Sequence, residues 1–179
     1  MIPDLLPGDL ILTRSNGWVS KSIRFFQKLG SGSARVSHAA MSLGGRMIVE
    51  SLMEVTINRL EKYEGKQIIV YRLTGKTDNQ RKQVSEETAL RAGQNYPWWR
   101  IPLNAMDNVA SFVRRKPTFW FTKPAGIPKY HECAQLWAHM WQVHGGFDMS
   151  LDWRHVTPDN LDDWLKENPT FCEVIYLNL

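Results

Sequence analysis

The stretch Val36-Ser37-His38-Ala39-Ala40-Met41-Ser42-Leu43-Gly44-Gly45-Arg46-Met47-Ile48-Val49-Glu50-Ser51-Leu52 contains two short apolar runs separated by glycines, and it reads as a β-hairpin. Its register decides which side chains share a face, because a one-residue slip moves every side chain to the other side of the sheet. With Gly44-Gly45 alone as the turn, Leu43 would face Arg46, and Glu50 would join Met41 and Leu43 among apolar groups. A three-residue loop, Gly44-Gly45-Arg46, pairs Leu43 with Met47 instead. His38, Ala40, Ser42, Ile48 and Glu50 then share one face, and His38 and Glu50 become diagonal cross-strand neighbours within reach of one another.

Outward from the hairpin, Pro7-Gly8 reads as a turn delivering the apolar strand 9–13, expected inside a sheet. Strands at 54–58 and 67–73, with Leu60-Glu61-Lys62-Tyr63 as a short connector, extend the hairpin into an antiparallel meander over 36–73. Helical spacing of Trp18, Val19, Ile23, Phe26 and Leu29 predicts an amphipathic helix over 18–29. It is ended by Gly30-Ser31-Gly32-Ser33, which reads as a mobile loop beside His38. Further helices are expected at 79–95, stopped by Tyr96-Pro97, and at 103–113. Residues 132–144 carry Cys133, Leu136, Trp137, Met140 and Trp141 on one stripe and end at Gly145-Gly146. Thr157-Pro158 opens a helix to about Lys166, and 171–177 reads as a last strand. The fold class is α+β, in one domain over 1–179.

Composition narrows the function classes. With 43% hydrophobic and 22% charged residues the chain is ordinary globular material, and no run approaches the ~18 consecutive apolar residues of a membrane span. Met1 to Asp9 lacks a basic segment followed by an apolar one, so cytoplasmic synthesis without a signal peptide is expected, with action on the cell envelope after release. The net charge of +4, with Arg114-Arg115-Lys116 as its basic cluster, would suit an anionic envelope surface. No zinc-finger spacing, RNA-binding sheet motif or basic heptad helix accompanies it, so nucleic acid is not an expected partner. A monomer without a disulfide is expected.

Cys133, His38 and Glu50 carry the candidate chemistry. A thiol at a helix opening is exposed to backbone N–H groups and the positive end of the helix dipole, which favour the thiolate. His38, flanked by the small residues Ser37, Ala39 and Ala40, would take the thiol proton and later protonate the leaving group. Glu50 would hold the imidazole tautomer by accepting its second N–H. Cys172, in an apolar strand, belongs to the core, and Asp162-Asp163 and Glu86-Glu87 read as helix-surface acids. His131 lies two residues from Cys133, with His139, His144 and His155 following, which opens the alternative of a metal site using His131 and Cys133. No Cys-x-x-Cys or His-Glu-x-x-His spacing supports it, and neither metal nor cofactor is expected.

The elements Pro7-Gly8-Asp9-Leu10-Ile11-Leu12, Val36-Ser37-His38-Ala39-Ala40-Met41, Val49-Glu50-Ser51, Tyr71-Arg72-Leu73, His131-Glu132-Cys133-Ala134-Gln135-Leu136 and Thr157-Pro158-Asp159-Asn160-Leu161 follow one another in a distinctive order. In that order the chain resembles the circularly permuted papain-like hydrolases of the YiiX/YaeF type, relatives of NlpC-type peptidases and lecithin:retinol acyltransferase-like proteins. The resemblance implies a permuted papain-like fold whose antiparallel sheet packs against the helix carrying the nucleophilic Cys133. It also implies amide or ester cleavage through a thioester, with the Cys133 backbone N–H in the oxyanion hole. Relatives commonly place serine and glutamate where this chain has Ala134 and Gln135. Peptidoglycan peptides are the expected substrate, as for a lysis or cell-wall remodelling enzyme. A lipid-directed acyltransferase or thioesterase, suggested by Trp98, Trp99, Phe119, Trp120 and Phe121, and a catalytically silent binding module are the alternatives.

Overall fold

A computed structural model gives the structure of the chain over residues 2–14, 35–52, 54–95 and 133–178, with residues 103, 106, 107, 109, 110, 113, 114 and 120. The described strands are β1 (Leu10–Arg14), β2 (His38–Gly44), β3 (Met47–Ser51), β4 (Val55–Arg59), β5 (Gln67–Leu73) and β6 (Cys172–Asn178). They form one antiparallel sheet in the order β4-β3-β2-β1-β5-β6. The helices described over their whole length are α1 (Asp78–Ala89), α2 (Cys133–Val143) and α3 (Pro158–Glu167). The architecture is mixed α+β.

β1 lies near the middle of the sheet because Leu10, Ile11 and Leu12 are fully buried and alternate between two apolar layers. On one face Leu10, Leu12, Ala39, Met41 and Val49 pack with Trp137, Met140 and Trp141 of α2 and with Leu161 and Leu165 of α3. On the other, Ile11, Ala40, Ile48 and Val70 pack with Ile2, Leu5, Leu60 and Tyr63. Trp137 and Trp141 both donate their indole N–H to the Gly8 carbonyl, at 2.9 and 3.0 Å, which fixes α2 to the entry of β1. Asp9, also buried, accepts from Arg72 on β5 at 2.6 Å and faces Arg81 on α1 at 3.5 Å.

The meander expected over 36–73 ends at β4. The chain then passes through a 3₁₀ turn, Leu60–Tyr63, and β5 returns to pair with β1 instead of β4. The buried Ile68 to Tyr71 run suits a strand with neighbours on both sides, and β1 and β6 provide them. Ala40 faces Glu50, Met41 faces Val49 and Ser42 faces Ile48, the register expected of the hairpin. Its closure differs, since Gly44 pairs with Met47 across a β-bulge and only Gly45-Arg46 form the loop. Gly44 takes φ +108 against Pro7, and Gly45 exchanges hydrogen bonds with Leu5, so the N-terminal segment shapes the turn.

α1 stops at Ala89, short of the expected residue 95. Residues 93 and 94 turn away to bond Val55, with Val55 N–H donating to Gln94 O at 2.7 Å and Gly93 N–H to Val55 O at 2.8 Å. Asp162, expected at the surface, is buried; it accepts the Tyr71 hydroxyl at 2.6 Å and pairs with Lys166. Cys172 packs in the core as expected, its thiol donating to the Leu165 carbonyl at 3.3 Å. The helix expected at 18–29 and the loop 30–33 lie outside the described residues, and so does much of 103–113, whose described positions are helical.

Candidate active site

His38 is the first residue of β2, Glu50 lies on the neighbouring strand β3, and Cys133 opens α2, which packs against β2. The imidazole therefore stands at the end of its strand, where the start of the helix reaches it. His38 Nε2 and Glu50 Oε2 are 2.9 Å apart, with the side chains 12% and 1% exposed. That bond places the Nε2 proton against the carboxylate and leaves Nδ1 as the ring nitrogen that Glu50 does not engage.

The electrostatics tie the three groups together. Burial works against a charged His38, but the charge and hydrogen bonding of Cys133, followed by those of Glu50, outweigh it and push the imidazole up to about 9. Burial would also raise Glu50. The bonds from His38 and Lys62, the His38 charge and the Tyr63 hydroxyl hold it instead at about 2. At neutral pH the carboxylate is ionised and the imidazole protonated, so a charged His38–Glu50 pair stands beside Cys133. Cys133 is partly exposed, as a nucleophile must be.

Glu50 has more partners than the sequence suggested. Oε2 accepts from His38 and from the Tyr63 hydroxyl at 2.7 Å, while Oε1 accepts from Asn58 Nδ2 at 2.8 Å and from Lys62 Nζ. Two of these donors come from the 3₁₀ turn, which the sequence presented only as a connector. A signal was available. Thr56 faces Glu50 and Asn58 faces Ile48, so strand alternation puts Asn58 on the Glu50 face. A carboxylate beside Ala40 and Ile48 also needs donors, and Lys62-Tyr63 are the next polar groups along the chain.

His139 and His155 find their partners outside this arrangement. His139 stacks on Trp153 with ring centroids 4.2 Å apart, and burial, then Arg91 and His144, pull it down to about 4. His155 lies 3.9 Å from Asp152, and His131 falls outside the described residues. Among the described residues no three His, Cys, Asp or Glu side chains assemble into a group that could hold a metal. Of the proposed aromatic wall, Trp98, Trp99, Phe119 and Phe121 lie outside the described residues, whereas Trp120 is exposed beneath the Arg114 guanidinium at 4.2 Å. No described helix is long and apolar enough to cross a membrane.

Compared with models of known protein families and with curated proteins, the chain matches none.

Proposed function

We propose that this protein is a cysteine hydrolase of permuted papain-like fold that cleaves amide bonds through a thioester, with Cys133 as nucleophile, His38 as acid–base and Glu50 as the group that orients His38. One observation carries the proposal. A thiol at the opening of a helix adjoins an imidazole whose far nitrogen is 2.9 Å from a buried carboxylate. Nucleophile, base and orienting acid are the minimum set for acyl transfer through sulfur.

In the first half-reaction the Cys133 thiolate attacks the carbonyl carbon, and the Cys133 backbone N–H stabilises the developing oxyanion. Collapse expels the amine, which takes the proton from His38 and leaves a thioester. In the second half His38 removes a proton from water as that water attacks the thioester, and the carboxylic acid departs as the thiolate re-forms. Glu50 keeps the imidazole in one tautomer throughout, and neither cofactor nor metal takes part in these steps.

Peptidoglycan peptides are the substrate class we propose, in a lysis or wall-remodelling role. The positive net charge favours an anionic envelope, and the partly exposed thiol is available to a peptide. Incubating purified protein and Cys133→Ala with peptidoglycan fragments, and following new amino groups by mass spectrometry, tests the assignment. Release by the wild type and not by the variant is expected. Equal release by both would remove the cysteine mechanism.

A further inference from the structure

We infer that Lys62 is a positioning residue which, through Glu50, lowers the proton affinity of His38 and sets the upper pH at which the thiolate–imidazolium pair is lost. The inference rests on the hydrolase function proposed above. Its basis is the way the two Glu50 oxygens are shared. Oε2 faces His38 and Tyr63, whereas Oε1 faces Asn58 and the Lys62 ammonium, so two cations divide one buried carboxylate.

His38 meets Cys133 from α2 and Glu50 from β3; Glu50 meets Asn58 from β4 and Lys62 and Tyr63 from the 3₁₀ turn; and the Tyr63 ring lies under Lys66 at 5.5 Å. With Cys133 ionised and His38 protonated, the four charges Cys133⁻, His38⁺, Glu50⁻ and Lys62⁺ sum to zero. Without Lys62 the same site carries a net negative charge, and His38 is the one cation left in contact with Glu50 among the described residues. That proton must be released to the leaving group, so an imidazole bound too tightly to its carboxylate is a poorer acid. Lys62 takes up part of the carboxylate charge and keeps His38 able to donate.

Lys62 has 36% of its side chain exposed, and methionine keeps most of its apolar stem, so the replacement leaves little buried volume empty. The test is the titration of His38 in protein carrying ¹³C-labelled histidine, its resonance assigned by its loss in His38→Asn. In Lys62→Met the midpoint is expected to rise by about one pH unit, a tenfold gain in proton affinity. Lys62→Arg should restore the wild-type midpoint, which a merely structural role would not require. An unchanged midpoint in folded Lys62→Met overturns the inference, and Lys62→Gln supplies the same readout if the methionine variant does not fold. Failure of the underlying function looks different. A wild-type His38 that titrates near its ordinary 6.5, unmoved by Cys133→Ala, removes the hydrolase site and this inference with it.

Discussion

The Tyr63 hydroxyl donates to Glu50 at 2.7 Å, on the same carboxylate oxygen that holds His38 Nε2 at 2.9 Å. Both side chains are almost fully buried, so the bond fixes the carboxylate where water cannot replace a lost donor. A hydrogen bond to a charged group contributes roughly 1.5–3 kcal/mol. Tyr63→Phe keeps the ring and removes the hydroxyl. Urea unfolding should show a loss of about that size, and under the proposed function turnover should fall without vanishing, because Asn58 and Lys62 still hold Oε1. An unchanged unfolding midpoint would show that Tyr63 serves only as packing.

Stability should depend on pH in two separate windows. Glu50 is depressed from 4.5 to about 2 in the folded protein, so its contribution is complete above 4.5 and is lost as pH falls from there through 2. His38 is raised from 6.5 to about 9, so its contribution is complete below 6.5 and is lost as pH rises from there through 9. These two groups therefore favour a plateau between about 4.5 and 6.5. Urea midpoints measured across pH 2 to 10 would check this. In Cys133→Ala the alkaline fall should shrink, because the largest contribution favouring a protonated His38 is gone.

The hairpin register was legible because only one pairing put His38 and Glu50 together without placing a carboxylate among Met41 and Leu43. The bulge that closes it was not, since it depends on Gly44 packing against Pro7 and on Gly45 bonding Leu5, contacts across almost forty residues. The return of β5 to β1 was hidden for a similar reason. Periodicity identifies a strand, whereas neighbour choice follows from burial of both faces after collapse. Cys133 could be named as a candidate nucleophile from its helix opening, whereas its place beside His38 follows from the packing of α2 on β2. Asp162 shows the converse error: its position next to Asp163 suggested a solvated helix face, yet Tyr71 makes it a buried acceptor.

Gly8 accepts no side chain without disturbing the helix that carries Cys133. Its φ is +83, and a Cβ there would overlap the Trp141 ring, while its carbonyl takes the indole protons of Trp137 and Trp141. Strain at such a φ costs about 1–3 kcal/mol, and overfilling a packed core costs a similar amount. Gly8→Ala should lower thermal stability sharply and slow thiol alkylation at Cys133 as α2 shifts. Wild-type melting in this variant would mean that Trp141 repacks freely.

Cys133 and Cys172 should differ in reactivity although both are free thiols. Cys172 is buried, its thiol bonded to the Leu165 carbonyl, and burial pushes it above its ordinary value, so the nucleophilic thiolate is scarce there. Cys133 is partly exposed beside a protonated imidazole. Brief iodoacetamide treatment of native protein near neutral pH, followed by peptide mass mapping, should label Cys133 and spare Cys172. His38→Ala removes the imidazolium and should slow Cys133 labelling markedly. Lys62→Met should leave neutral-pH labelling high, because its effect on His38 lies at the alkaline limb. Labelling of Cys133 that ignores His38 would show the two side chains to be neighbours without a shared proton.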